Sequence, residues 1–404
     1  METQHQSTPR FFDNPQAQRG LAAAHQQKHG GSPEYKFNII GCGMIGREHM
    51  GVINLLGKAA VHGIYDTDRG SVELAKAAYS SYSGEPLVDY KDLESACTDD
   101  VDALFICTPN FTHYDVLKTA LKSGKPIFLE KPMATNLPHA AELVRLEKNY
   151  TSFIQLGMQY RFKSQYSEAF NLVKSQGLIG EVKTISMSEY RPPFLDKVNQ
   201  WNKFNQNTGG TLVEKCCHYF DLINLMAQAR PKRVFASGGQ AVNFLDFELN
   251  GKASDVADHG FVIIDYTNGI RASFTLNMFC PQLYEEIIIT GPKGRVVASE
   301  TSSFEPETSS QATVVLENNS KLGAISKDVT YAPLVERSGH HGATFFEHMA
   351  FIDRLKGKAT DSATPLQGLW SIIVATAAQQ SMATGLPIDV SDFLVKSGLE
   401  DFNQ

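Results

Sequence analysis

The chain has 404 residues, enough for two ordinary domains, and its 42% hydrophobic and 20% charged composition is that of a globular protein able to bury real cores. Its net charge of −7 is spread along the chain without a basic stripe, which sets nucleic acid aside as a partner. No run approaches the roughly 18 uninterrupted apolar residues of a membrane span, and residues 1–31 lack the apolar core of a secretory signal, so a soluble, cytoplasmic protein with no membrane partner is expected.

Residues 1–35 are rich in Gln, His, Ser and Gly and end in Gly30-Gly31-Ser32-Pro33, so they read as a disordered tail. The alternative is an arm that orders against a second subunit through Phe11 and Phe12. From Lys36 short apolar runs alternate with amphipathic stretches. Strands are predicted at 36–40, 61–65, 102–107, 126–129 and 153–157, with helices near 44–56, 70–79, 112–122 and 137–148. Such alternation implies a doubly wound parallel sheet covered on both faces, in a first domain at 36–160.

Beyond residue 160 the period shortens to two. Turns at Asn268-Gly269 and Gly291-Pro292-Lys293-Gly294 signal hairpins, and in 271–278 the residues Ala272, Phe274, Leu276 and Met278 share one face. An α+β domain with a large, mostly antiparallel sheet is therefore expected at 161–390, closed by helices at 342–356 and 366–383 and followed by a tail at 391–404. The six cysteines have no framework spacing and read as reduced thiols.

The first strand runs straight into Gly41-Cys42-Gly43-Met44-Ile45-Gly46 and then a helical pattern. In that G-x-G-x-x-G the first glycine allows the tight turn, the second lets backbone approach a pyrophosphate, and the third lets helix pack on strand. The helix N-terminus offers N–H donors and a positive dipole end to the phosphates. The second strand ends in Asp66, 20 residues after Gly46, where a carboxylate reaches the ribose hydroxyls. An anion there favours NAD, while Arg69 nearby leaves NADP open. This is the pattern of a Rossmann domain.

Two further strand ends carry Thr108-Pro109-Asn110 with His113, and Glu130-Lys131-Pro132. At the carboxyl edge of an open parallel sheet these side chains face the ligand crevice, so Lys131 projects toward the nicotinamide end. A third segment, from Gly209-Gly210 through Glu214, His218 and Asp221, reads as one glycine-preceded helix with those three residues on a single face. Glu214 would then brace His218, whose imidazole suits taking the hydroxyl proton of an alcohol. The competing readings are a solvated i,i+4 pair and a zinc site at Cys216, Cys217 and His218. Adjacent cysteines on a helix point about 100° apart, so no metal is expected.

These residues resemble the glucose-fructose oxidoreductase / inositol dehydrogenase / rhizopine catabolism (Gfo/Idh/MocA) family over roughly residues 36 to 390, most diagnostically in Glu130-Lys131-Pro132. The resemblance implies an open sheet used for homodimer or homotetramer assembly. It implies that Lys131 polarises the reacting oxygen and that His218 exchanges its proton. Inositol dehydrogenases carry aspartate where this chain has Glu214, which leaves Glu214 free either to brace His218 or to contact substrate. Related proteins line the nicotinamide and substrate pocket at Gln159, Tyr160 and Arg161; Trp201 and His341 are further pocket candidates, with a core aromatic and a surface histidine as the alternatives.

The resulting expectation is an NAD-dependent oxidation of a secondary alcohol on a cyclic polyol, sugar or sugar derivative. Two alternatives stay open: a glycosidase that oxidises transiently with no net redox change, and a catalytically silent dinucleotide-binding protein.

Overall fold

A computed structural model describes residues 33–302, 310–319 and 323–403. The reading of residues 1–32, Phe11 and Phe12 included, lies outside the described residues.

The first sheet contains β1 (Tyr35–Ile40), β2 (Ala59–Tyr65), β3 (Val88–Asp89), β4 (Ala103–Ile106), β5 (Ile127–Glu130) and β6 (Ile154–Gly157), all parallel, in the order β3-β2-β1-β4-β5-β6. Helices α1 (Met44–Leu56), α2 (Arg69–Ser80), α3 (Leu93–Thr98), α4 (His113–Leu121) and α5 (Leu137–Glu147) connect them. β1, β4, β5 and β6 end in runs of four buried residues, the mark of strands covered on both faces. The order reverses between β1 and β4, which opens a ligand crevice beyond their carboxyl ends.

The second sheet has nine strands in the order β16-β15-β14-β13-β7-β12-β11-β8-β17. They are β7 (Thr184–Tyr190), β8 (Pro231–Gly239), β11 (His259–Tyr266), β12 (Arg271–Asn277), β13 (Leu283–Gly291), β14 (Gly294–Ser302), β15 (Gln311–Asn318), β16 (Ile325–Asp328) and β17 (Ile388–Asp389); β9 (Glu248–Leu249) and β10 (Lys252–Ala253) form a separate hairpin. All pairs are antiparallel except β7 with β12. Hairpins turn at Asn268-Gly269 and Pro292-Lys293, and Ala272, Phe274, Leu276 and Met278 are all buried.

The remaining helices are α6 (Ser164–Phe170), α7 (Asn205–Thr208), α8 (Thr211–Glu214), α9 (Cys217–Ala227), α10 (Pro333–Glu336), α11 (Ala343–Leu355), α12 (Pro365–Thr384) and α13 (Val390–Lys396). α12 starts with a capping box between Thr364 and Gln367. α11 returns to the first domain, where Phe351 meets Phe37 and Phe105 edge-on at 5.8 and 5.1 Å. The end of the chain, read from sequence as a tail, is packed: Leu394, Leu399 and Phe402 are buried, and Arg145 meets Asp401 at 2.8 Å.

The single helix predicted across Glu214 and His218 is broken. α8 stops at Glu214 and α9 starts at Cys217, with the Cys216 N–H reaching back five residues to the Thr211 carbonyl at 3.4 Å. An unbroken helix would offer the Glu214 carbonyl to the His218 N–H. Here that carbonyl accepts Lys131 Nζ at 3.2 Å and Cys217 Sγ at 3.5 Å instead.

Candidate active site

The glycine turn after β1 has the shape its sequence requires. Gly41 has φ +102°, and a Cβ on it would lie 2.5 Å from the Cys107 carbonyl carbon; one on Gly46 would lie 2.0 Å from the Gly41 oxygen. A Cβ on Gly43 would meet nothing within 4 Å, so the middle of the turn is open to a ligand, and Met44 and Ile45 begin α1 beside it. Asp66 anchors this turn, its Oδ2 accepting the Cys42 N–H at 2.7 Å and its Oδ1 the Asp68 N–H at 2.8 Å. Arg69 is occupied by Asp89, at 2.6 and 2.9 Å.

Beyond β4, His113 is fully buried with Nε2 2.8 Å from the Thr108 carbonyl and Nδ1 2.7 Å from that of Pro132. It ties the Thr108-Pro109-Asn110 turn to the one after β5, where the Lys131-Pro132 peptide is cis. Asn110 is buried with its Nδ2 unpartnered. Glu130 turns inward: its Oε1 meets His49 Nε2 at 2.9 Å and its Oε2 accepts the Lys131 N–H at 3.1 Å. Burial alone would raise its pKa, but the bond and charge of His49 bring it below the ordinary value. His49 in turn meets His348 at 2.7 Å.

Lys131 thus stands between the first sheet and the α8–α9 break. His218, buried beside it, stacks on the Tyr160 ring at 4.1 Å and 6°, and its Nδ1 has no partner. Burial, then the charges of Lys131 and Lys215, hold its pKa well below 6.5, so the ring is neutral at pH 7 and able to accept a proton. Glu214 does not brace it: among the described residues no hydrogen bond joins the two, and Glu214 Oε2 is buried and unpartnered. Burial raises the pKa of Glu214 although Lys197 and Lys131 oppose the shift. Gln159, also buried, leaves its Oε1 unpartnered.

The other pocket candidates divide. Tyr160 stacks on His218 while its hydroxyl accepts Lys215 Nζ at 2.6 Å. Trp201 is half-buried, edge-on to Phe111 at 6.0 Å and 5.0 Å from Lys197 Nζ. Arg161 is consumed internally, with bonds of 2.6 and 2.7 Å to Asp221 and further bonds to the Asp361 carbonyl and Gln367. His341 pairs with Glu300 through Nδ1 and lies 3.4 Å from Ser302 Oγ through Nε2. Both ring nitrogens and the guanidinium therefore have protein partners. Cys216 and Cys217 are buried in the core with thiol pKa values pushed up by burial.

The sequence reading did not find the charges under the site. Glu189, Glu285 and Glu300 lie side by side on β7, β13 and β14 and are all buried. Lys163 bonds to Glu285 and, at 2.6 Å, to Glu300, while Lys215 and Arg191 flank Glu189 at 3.0 and 3.6 Å. One signal was present: each carboxylate shares strand parity with buried apolar residues, as Glu285 does with Ile287 and Ile289. The His49–His348 pair had no such signal, and His340, in the α11 entry loop beside His341, reaches Glu48 at 2.7 Å.

A Rossmann sheet with an open glycine turn, an acidic residue ending β2, and a lysine facing a neutral histidine define a dinucleotide-dependent oxidoreductase. The chain belongs to the Gfo/Idh/MocA oxidoreductase family: residues 35–158 match its NAD-binding Rossmann domain and residues 175–390 its C-terminal α/β domain. Its cofactor is NAD. An uncharacterized oxidoreductase of Bacillus subtilis is 25% identical over 87% of this chain and 95% of its own length. The myo-inositol 2-dehydrogenase of Thermotoga maritima is 26% identical over 65% and 75%. In fold the chain is similar to scyllo-inositol dehydrogenase of Lactobacillus casei, solved with NAD(H) and scyllo-inositol, with TM-score 0.69, 21% identity, and 88% and 99% of the two chains covered.

Proposed function

We propose that the protein oxidises a secondary alcohol of a cyclic polyol, sugar or sugar derivative, with His218 as the base and Lys131 as the electrostatic partner of the reacting oxygen. The observation that carries this reading is the set of buried, unpartnered polar atoms on four residues of the site: Asn110 Nδ2, Gln159 Oε1, Glu214 Oε2 and His218 Nδ1. Buried polar groups ordinarily find partners, and a cofactor and a hydroxylated substrate supply them.

Gly41, Gly43, Met44, Ile45 and Gly46 would cradle the pyrophosphate and Asp66 the ribose, with Thr108, Pro109, Asn110, Lys131 and Gln159 along the nicotinamide half. His113 and Glu130 act from behind, holding the two strand-end turns. When bound, NAD supplies the acceptor for the hydride that leaves the carbinol carbon. Neutral His218 takes the hydroxyl proton, and the Lys131 ammonium stabilises the charge that develops on the oxygen. Tyr160 fixes the plane of the His218 ring, and Glu214 contacts a substrate hydroxyl. Trp201 closes the cleft from the side of Phe111.

The same reading takes the protein as a cytoplasmic homodimer or homotetramer, assembled through the outer face of the second sheet, where Phe261 and Ile263 are 59% and 51% exposed.

Purified protein incubated with NAD and a panel of inositols, aldoses and glycosides is expected to form NADH together with a ketone product. Lys131→Ala and His218→Ala should each lower kcat by about two orders of magnitude or more. Near-normal turnover in either variant, or glycoside cleavage without NADH, would overturn the assignment.

A further inference from the structure

Lys215 occupies the break between α8 and α9 and is buried there. A lysine is rarely sealed into a protein without a carboxylate beside it, and Glu189 supplies one, 3.0 Å from Lys215 Nζ. Burial presses Lys215 toward its neutral amine, and the charge of Glu189 opposes that. This pairing does not account for the direction of the ammonium, because neither oxygen of Glu189 takes a hydrogen bond. The hydrogen bond of Lys215 goes to the Tyr160 hydroxyl, at 2.6 Å.

Tyr160 is the residue on which His218 stacks, at 4.1 Å and 6°. It stands in the 3-10 turn after β6, so Lys215 ties the end of the first sheet to the segment that carries His218. Other groups wedge the same ring: Tyr219 meets it edge-on at 5.5 Å and 81°, and Lys163 Nζ lies 4.5 Å from its centre. A phenol wedged by its ring alone can still slide in its own plane. A bond from a buried ammonium fixes its outer end, and the face offered to the imidazole is then set.

Resting on the dehydrogenase reading above, we propose that Lys215 is a positioning residue of the reaction, which through the Tyr160 hydroxyl fixes the plane of the His218 ring toward the substrate hydroxyl. A base displaced by about 1 Å loses much of its effect, of the order of a hundredfold in rate. Lys215 touches no reacting atom. Its effect passes through two contacts, ammonium to hydroxyl and ring to ring, so cutting either one has the same consequence as cutting both. Burial and the charge of Lys131 do most to keep the resting imidazole neutral, and Lys215 adds to them with His340 and Lys163. The negative face of the Tyr160 ring then receives the imidazolium once the proton is taken.

The test is a double-mutant cycle read in two ways. In NAD-saturated protein with isotope-labelled histidine, assigned with His218→Gln, the His218 ring protons are expected upfield in the ring current of Tyr160. They should move toward ordinary imidazole values in Lys215→Met and in Tyr160→Phe. On the inositol or aldose that gives NADH fastest, kcat should fall about tenfold in each variant and no further in the double variant, with KM for NAD unchanged. Lys215→Arg, which can still donate to the hydroxyl, should keep the His218 spectrum and most of the activity. An unmoved His218 spectrum, or losses that add in the double variant, overturns the proposal. Tyr160→Phe removes one oxygen and leaves Lys215 with Glu189, so it decides the matter where Lys215→Met does not fold. Full activity in Lys215→Met defeats this inference alone. A spectrum that responds to Lys215→Met in a protein that forms no NADH from any probe defeats the dehydrogenase reading and leaves the clamp standing.

Discussion

Asp66 shows how one carboxylate serves structure and selectivity together. Its two oxygens accept the Cys42 and Asp68 N–H groups, which fixes the carboxylate beside the glycine turn at the end of β2. A negative group held there repels a 2′-phosphate, and Arg69, which lines the position together with Lys91, is bound by Asp89. Asp66→Asn keeps an acceptor for the turn while removing the charge. It should lower the NAD-to-NADP ratio of kcat/KM by about tenfold, or ~1.4 kcal/mol. Steady-state kinetics with both cofactors check this; an unchanged ratio would place selectivity elsewhere. At this scale the sequence was most legible where a residue's role follows from backbone geometry, as for Gly41 and Gly46. It was least legible where a side chain had a choice of partners. Arg161 read as a pocket residue because nothing local shows that Asp221, on another element, takes the Nε and Nη2 edge of its guanidinium while the Asp361 carbonyl takes Nη1.

Elements whose burial is periodic along the chain were readable, and the parallel strands fall within two residues of their predicted bounds. β3 and α3 were not, because a two-residue strand and a six-residue helix carry no period to detect. The α8–α9 break was hidden for a different reason: a tertiary bond from Lys131 competes for the Glu214 carbonyl, and local helical pattern is blind to it. The Arg161–Asp221 pair holds that region together. It joins the 3-10 turn after β6 to α9, and through Gln367 to the start of α12, with both side chains only 4% and 3% exposed. Removing one partner of such a pair strands the other charge in a poorly solvated place. Asp221→Ala should therefore cost about 3–5 kcal/mol of stability, measured by denaturant unfolding with NAD absent; a loss below about 1 kcal/mol would show that water or another group compensates Arg161.

For the whole molecule, the buried titratable groups set how stability follows pH. His113, His218 and His348 are held neutral by burial, with pKa values below the ordinary 6.5. As pH falls below that value the unfolded chain gains protons that the folded one refuses, so stability drops on the acid side. Glu347 acts from the opposite side. It is buried in α11 with neither oxygen partnered, and burial, then the charges of Glu130 and Glu48, raise its pKa well above the ordinary 4.5. Above that ordinary value the unfolded chain releases a proton that the folded chain retains, so stability declines as pH rises, by up to about 1.4 kcal/mol per pH unit until the folded group ionises. The two effects place the maximum near the ordinary histidine value. Glu347→Gln removes the alkaline arm while keeping the size of the side chain. Its Tm should fall less than that of the wild type between pH 6.5 and pH 8.5, and the two should differ less at pH 5. Thermal melts across that range provide the check, and parallel profiles for the two proteins would mean that Glu347 is already ionised in the folded state.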